Sequence, residues 1–251
     1  MLLIADVHGA WPALRRVASL GEPLLILGDL LNLVDYRTME GLLSEVFGRD
    51  MVMEVSRLRA TGDHQGARRR WKSESAGRED EIRARLRRLM AESYEAAAEA
   101  LAGAEAYVTF GNVDDPEMLA TMLPSGSRFV DGEVVEIEGV RIGFAGGGIG
   151  PDVGAPGTVT EDAMRAKLAG LDDIDVLCTH AAPAVGQLSH DVVAGFSKGS
   201  EAVLEFVQAR QPRHMYFGDI HQPQATEWRV GRTICRNVGY FRATGRPIRH
   251  G

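Results

Sequence analysis

Short apolar runs closed by turn residues recur along the chain. They occupy residues 2–6, 24–29, 106–112, 134–147, 175–180, 214–221 and 232–239. Runs of this length between glycine and polar residues are typical of buried β-strands. The run 134–147 is interrupted by a turn sequence at 138–140, which predicts an antiparallel hairpin within it.

Helical spacing of apolar residues fills several of the intervals between these runs. It is found at residues 11–20, 161–169 and 199–210. Strand-like runs that alternate with helices are typical of α/β folds, in which the helices pack on the faces of the sheet. The pattern therefore predicts a mixed α/β sheet within a single domain that spans residues 1–251.

Residues 37–103 have a different pattern from the rest of the chain. Arginine, glutamate and alanine alternate there with leucine and methionine at helical spacing, and the last helix ends near Gly103, a residue suited to a helix C-cap. We predict a helical insertion, acting as a lid or an interface. Its arginines are interspersed with glutamates, which favours a solvated face over an anion-binding surface.

Composition and charge narrow the class of protein. The chain has 251 residues, of which 45% are hydrophobic and 25% charged, and its formal net charge is -7. This describes a globular protein with a large core. Because nucleic-acid surfaces are usually basic, the acidic balance argues against a nucleic-acid partner and favours a small substrate.

The two cysteines and the hydropathy pattern bear on the compartment. Cys178 and Cys235 both lie inside apolar runs, which suits buried reduced thiols better than a disulfide. The first apolar run is broken by Asp6, and no later run has the length of a membrane span. We therefore expect a cytoplasmic protein without a membrane partner.

Polar residues close most of the apolar runs, and together they have the chemistry of metal ligands. They are Asp6, His8, Asp29, Asn112, His180, Asp219 and His221. Taken singly, each is typical of a turn, a cap or a hydrogen-bonded core histidine. Taken together at one edge of a sheet, carboxylates, imidazoles and an amide are ligands for divalent metals, and their number exceeds the need of one ion.

The order and spacing of these residues resemble the calcineurin-like metallophosphoesterases. The motifs of that family are D-x-H, G-D-x-x-D, G-N-H-[DE], a later single histidine and G-H-x-H. They correspond here to "DVH" at 6–8, "GDLLN" at 28–32, "GNVDD" at 111–115, His180 and "GDIH" at 218–221. Each motif alone is common by chance, and their joint order carries the resemblance.

The resemblance implies a fold and a ligand set. The fold would be a four-layer α-β-β-α sandwich of two mixed sheets. Asp29 would bridge two divalent ions, with Asp6, His8 and His221 completing the first site and Asn112 and His180 contributing to the second. The implied activity is hydrolysis of a phosphoric ester, with Asp29 and Asn112 in the catalytic machinery.

Three positions depart from the family pattern. Asn32 replaces the last aspartate of G-D-x-x-D, a supporting residue in the family. Val113 replaces the histidine of G-N-H-[DE], which removes a proton donor and favours a phosphodiester or activated ester as substrate. His190, in "LSHD", is our candidate for a substitute catalytic donor, although a loop histidine is more often solvated.

Asp219 is the third departure, because it stands where G-H-x-H has its first histidine. Two interpretations are open: Asp219 binds the second ion through oxygen, or it turns away and one tightly bound ion remains. An oxygen ligand favours harder metals, so Mn²⁺ is the ion that we expect, while Fe, Zn, Ni and Mg²⁺ stay open. The glycine-rich stretch 146–157 predicts a loop beside this site.

The sequence thus predicts a dinuclear metal-dependent phosphoesterase that acts on a small phosphorylated substrate. Two alternatives are retained. One is a metal-binding scaffold for protein interactions, which the changes at Val113 and Asp219 leave open. The other is a phosphomonoesterase for a small metabolite, with the insertion 37–103 as its lid, and the same insertion is a candidate surface for homo-oligomer formation.

Overall fold

The computed structural model describes residues 1–150 and 155–251, so the central residues of the glycine-rich stretch 146–157 lie outside the described part. The helices are α1 (Trp11–Ala18), α2 (Leu42–Phe47), α3 (Arg49–Ala60), α4 (His64–Ser75), α5 (Glu79–Ala100), α6 (Pro116–Met122), α7 (Glu161–Ala169), α8 (Gly186–Ser189), α9 (Glu201–Arg210) and α10 (Phe241–Thr244). The strands are β1 (Leu2–Ile4), β2 (Leu24–Leu27), β3 (Ala106–Thr109), β4 (Ser127–Phe129), β5 (Glu133–Ile137), β6 (Val140–Ala145), β7 (Val176–Thr179), β8 (His190–Asp191), β9 (Phe196–Ser197), β10 (His214–Phe217), β11 (Glu227–Val230), β12 (Thr233–Asn237) and β13 (Ile248–Arg249).

Two large mixed sheets form the centre of the fold. The first has the strand order β13-β1-β2-β3-β4, and the second has the order β11-β12-β10-β7-β6-β5. In the first sheet β13 is antiparallel to β1, while β1 to β4 run parallel to one another. In the second sheet the edge strands β5 and β11 are antiparallel to their neighbours, and the four strands between them are parallel.

Alternation along the strands divides the apolar residues between two faces of each sheet. From β1, Leu3 packs between the sheets together with Phe144 and Tyr216 of the second sheet. The neighbouring Leu2 and Ile4 point the other way, into a cluster with helices α1 and α5. A third cluster joins the outer face of the second sheet to α7 and α9. The layers therefore run helix, sheet, sheet, helix.

The segment 37–103 is helical from α2 to α5, as its pattern predicts. Its four helices have two different roles. Tyr94 and Ala97 of α5 are buried in the same cluster as the first sheet, so this helix is part of the core. By contrast, α3 and α4 close on a small cluster of their own around Met51 and Val55. Whether they act as a lid or an interface stays a prediction.

Most strands lie where the apolar runs predict them, and the hairpin is β5–β6 with Glu138 and Gly139 at its turn, both with positive φ. The prediction missed the edge strands β4, β11 and β13 and the two-stranded ribbon of β8 and β9, because these strands are short and largely polar or exposed. Cys178 and Cys235 are both buried and free. Within the described residues, no helix is long and apolar enough to cross a membrane.

Candidate metal centre

The predicted ligands converge where parallel strands of both sheets end. Asp6 and His8 follow β1, Asp29 follows β2, and Asn112 follows β3 in the first sheet. From the second sheet, His180 follows β7, while Asp219 and His221 follow β10. Carboxyl ends of parallel strands meet at one edge of a sheet, and here the edges of two facing sheets coincide.

One group of side chains surrounds Asp6. Its Oδ1 lies 3.4 Å from His221 Nε2 and 3.9 Å from His8 Nε2. The two histidine Nε2 atoms are 3.3 Å apart, and His8 Nε2 lies 3.6 Å from Asp29 Oδ2. Ligand atoms of Asp6, His8 and His221 all lie within 4.8 Å of one another, as do those of Asp6, Asp29 and His180, so each triple could hold a metal ion.

A second group surrounds His180 Nε2. Asn112 Oδ1 lies 3.3 Å away, Asp29 Oδ1 3.5 Å away and Asp219 Oδ1 3.6 Å away. Asp29 therefore faces His8 with one carboxylate oxygen and His180 with the other, the position expected of a bridging ligand. All seven predicted ligands belong to one of the two groups, and their binding of metal stays a prediction.

The two buried histidines are oriented from behind by the backbone. His8 Nδ1 donates to the carbonyl oxygen of Leu31, and His180 Nδ1 donates to that of Leu27, each over 2.8 Å. A carbonyl can only accept, so the proton of the neutral imidazole is on Nδ1 and the lone pair of Nε2 points into the cluster. Metal-bound histidines usually have such a partner on the second ring nitrogen.

Asp6 supplies a direct test of whether the cluster fits a cation. Its side chain is fully buried, and Oδ2 accepts the backbone N–H of Asp219 over 3.2 Å. Oδ1 has no hydrogen-bond partner in hydrogen-bond geometry among the described residues, although His221 is near. A buried carboxylate oxygen without a partner is strongly unfavourable, and a bound cation would satisfy it.

Backbone strain is concentrated at the same place. Asp6, His8, Asp29 and Asp219 have φ values of 58°, 43°, 56° and 66°, in the left-handed region that L residues rarely adopt. Each such residue costs about 1–2 kcal/mol. Strain of this kind is retained mainly where function requires a particular side-chain direction. The chain therefore turns four ligands into the cluster against local preference.

The cluster attracts positive charge. Burial alone would lower the pKa of His180, but the carboxylates of Asp29 and Asp219 outweigh it and raise this pKa to about 10. Burial likewise opposes protonation of His221, whose pKa is nevertheless raised, chiefly by Asp6. Binding of a metal ion would therefore release protons from these imidazoles.

Asp114 supports the cluster from behind and was not singled out in the sequence analysis. Its carboxylate accepts the backbone N–H groups of Leu30, Leu31 and Gly111 over 2.9 to 3.3 Å. Burial and the nearby charge of Asp29 raise the pKa of Asp114 to about 7. Since the three N–H groups flank Asp29 and Asn112, Asp114 holds the two loops together. Asp114 occupies the [DE] position of the motif G-N-H-[DE], and this was the feature of the sequence that could have marked it.

Replacing Asp114 by asparagine is expected to lower the free energy of unfolding by about 1–3 kcal/mol, because the new NH₂ group would face a buried N–H donor. Urea denaturation at pH 8 measures this loss. The matched control is Asp50→Asn, an exposed position in the first turn of α3, where a change below about 0.5 kcal/mol is expected. Equal losses in the two variants would contradict this role of Asp114.

Two of the departures from the motif pattern, Val113 and Asn32, and the candidate donor His190 have different surroundings. The Val113 side chain packs against the core, and its N–H donates to Asp29 Oδ1 over 3.1 Å. Asn32 is half-buried, and its carbonyl oxygen accepts the N–H of Leu42 at the start of α2. His190 lies on β8 with Nδ1 3.1 Å from Ser197 Oγ, so its observed partner is not one of the seven ligands. A catalytic role for His190 stays a prediction.

Three further residues reach the cluster. Tyr240 stacks on the His221 ring at 4.0 Å between ring centroids, and Arg242 donates to the backbone oxygen of His8. Arg242 also donates to Asp35 over 3.2 Å, so this arginine holds the loop of the first motif. The ammonium group of Lys198 lies 2.5 Å from Asp219 Oδ1. No local pattern in the sequence marks Tyr240 or Lys198.

Comparisons with known proteins extend to the fold only. No family model and no curated protein matches the chain. One solved structure is similar over 96% of this chain and 90% of its own, with a TM-score of 0.61 and 15% identity. An archaeal phosphodiesterase is matched with a TM-score of 0.40 and 11% identity, over 97% of this chain and 85% of its own. The first similarity shows that the two-sheet architecture occurs in a solved protein, while the second is too weak to bear on function.

Proposed function

We propose that the chain is a metal-dependent hydrolase of phosphoric esters. The observation that carries the proposal is the buried, unpartnered Oδ1 of Asp6, toward which two histidine nitrogens converge. This arrangement is unfavourable without a cation, and Asp, Asn and His side chains suit divalent ions such as Mn²⁺. The motif order that resembles the calcineurin-like metallophosphoesterases agrees with this chemistry.

The chain's own residues would have distinct tasks in the reaction. A bound divalent ion polarises a phosphoryl group and lowers the pKa of water enough to provide a nucleophile near neutral pH. Asp6, His8 and His221 would hold such an ion, and Asp29 would extend the ligand set toward His180 and Asn112. The carbonyl groups of Leu31 and Leu27 keep the histidines in the tautomer that can bind metal.

The leaving group determines which esters would react. The Val113 side chain packs against the core, so this position offers no proton to a departing oxygen. General acid catalysis typically contributes about 10²- to 10⁴-fold. Esters whose leaving group needs no proton should therefore be preferred, which favours phosphodiesters and activated phosphates over alkyl monoesters.

The test is metal content together with hydrolysis of bis(p-nitrophenyl) phosphate and p-nitrophenyl phosphate. We expect the chelator-treated protein to be inactive, and Mn²⁺ to restore turnover with the diester cleaved faster. Faster turnover of p-nitrophenyl phosphate would support the phosphomonoesterase alternative. Absence of both bound metal and metal-dependent turnover would reject the proposal and favour a scaffold.

The surface of the insertion 37–103 does not favour the alternative function, a scaffold for protein interactions. Within the part of 37–103 that packs apart from the core, Phe47, Leu58 and Trp71 close on Met51 and Val55. Among the large apolar side chains of this insertion, all of whose residues are described, Met53 is the exposed one. Protein interfaces are usually marked by larger contiguous apolar patches. We therefore retain the hydrolase as the proposed function.

A further inference from the structure

Lys198 places a positive charge beside Asp219, one of the seven predicted ligands. Its Nζ lies 2.5 Å from Asp219 Oδ1, and Asp219 is its hydrogen-bond partner among the described residues. His180 Nε2 lies 3.6 Å from the same oxygen. The ammonium group therefore binds the same Asp219 oxygen that faces His180 and that a second metal ion would need.

This lysine is held in place by its backbone. The N–H of Lys198 donates to the carbonyl oxygen of Ser189 over 2.9 Å, and two residues later the N–H of Ser200 donates to Ala182 over 2.8 Å. A Cβ atom on Gly199 would lie 2.8 Å from Ala184, so the segment is closely packed against the loop that follows His180. The ammonium group is thus presented by a fixed segment.

The residue type also matters. Only three of the 28 basic residues in the chain are lysines, namely Lys72, Lys167 and Lys198. An ammonium is a compact point charge, whereas a guanidinium is a planar fork, so lysine is the basic side chain that best takes the place of a single ion.

The charge balance of the ligand set also involves Lys198. The ligand set contains three carboxylates, those of Asp6, Asp29 and Asp219. One divalent ion and the ammonium group together balance these three negative charges. A second divalent ion would have to displace Lys198 from Asp219 or lie beside it in a buried site, where repulsion between like charges is poorly screened.

The geometry points to a centre that holds one tightly bound divalent ion, at Asp6, His8, His221 and Asp29, with the Lys198 ammonium in the place of a second. This inference rests on the proposed function, since it assumes that the cluster binds metal. It agrees with the one-ion interpretation given above in the number of ions. It differs in the position of Asp219, which faces the cluster and is bound by Lys198 instead of turning away. Lys198 would supply the positive charge toward a phosphoryl oxygen that a second ion supplies in a dinuclear site.

The experiment counts ions by titrating Mn²⁺ into the chelator-treated full chain in a calorimeter. We expect one tight Mn²⁺ for wild type and two for Lys198→Met, which has a side chain of similar length without charge. The matched control is Lys167→Met, because Lys167 is similarly exposed (19% against 22%) and pairs with Asp131 outside the ligand set. This control should bind one ion.

Two tight ions in wild type, or one ion in both wild type and Lys198→Met, would overturn the inference while leaving the metal centre intact. Absence of Mn²⁺ binding would reject the proposed function and this inference with it. Electron paramagnetic resonance of the Mn²⁺-saturated wild type gives a second answer that needs no variant. The spectrum of an isolated ion is expected, and a spin-coupled pair would contradict it.

Discussion

Asp29→Asn is expected to lower diester hydrolysis by more than about 10³-fold, an increase of about 4 kcal/mol or more in the activation barrier. The physical reason is the position of this carboxylate, whose two oxygens face His8 and His180 at 3.6 and 3.5 Å. Asparagine keeps the shape and the oxygen that accepts the Val113 N–H, but it removes the negative charge. Turnover of bis(p-nitrophenyl) phosphate in saturating Mn²⁺ measures the loss.

The control for this variant is Asp131→Asn. Asp131 is a half-buried carboxylate that pairs with Lys167 over 2.9 Å, and it lies outside the ligand set. We expect this variant to keep activity within about threefold of wild type, as surface substitutions usually do. If Asp29→Asn retained Mn²⁺ and more than a tenth of wild-type activity, Asp29 could not have the assigned role.

Gly28→Ala is expected to lower the free energy of unfolding by about 3–5 kcal/mol. Gly28 has a φ of 93°, and a Cβ atom there would lie 2.4 Å from the backbone nitrogen of Gly111. The backbone of Gly111 cannot move aside cheaply because its N–H is bonded to Asp114 over 2.9 Å. The clash therefore separates the loops that carry Asp29 and Asn112. Urea denaturation of the metal-free protein gives the magnitude.

Gly21→Ala separates the two causes of this loss. Gly21 also has a positive φ, 71°, but nothing lies within 4 Å of a Cβ atom built there. It therefore retains only the backbone strain, and we expect a loss of about 1–2 kcal/mol. Similar losses for both variants would show that the close approach of Gly28 to Gly111 has no energetic weight.

The parts of the fold that follow from short-range patterns could be predicted from the sequence. Buried strands such as β2 and β7 are continuous apolar runs, and their polar ends mark the ligands Asp29 and His180. The convergence of these ends follows from a general property of parallel strands. The edge strand β13 was missed because its pairing with β1 depends on residues almost 250 positions apart along the chain.

The supporting residues were harder to predict because their roles depend on tertiary contacts. Lys198 lies between a two-stranded ribbon and α9, and no periodic pattern connects it with Asp219. Tyr240 and Arg242 contact His221 and His8, which precede them by 19 and 234 residues, so only the folded chain shows these contacts. The sequence shows that valine replaces the motif histidine at position 113. It does not show that the valine side chain packs against the core.

The pairing of β13 with β1 has a consequence for biosynthesis. The first sheet pairs residues 2–3 with residues 248–249, and Phe241 and Arg242 donate backbone hydrogen bonds to Ala5 and Asp6. During translation, Asp6 and His8 emerge long before the strand and the helix that hold them. The nascent chain therefore carries Asp6 and His8 without the elements that hold them until residues 241–249 have been made, and we expect a metal site at these residues to form only after that point.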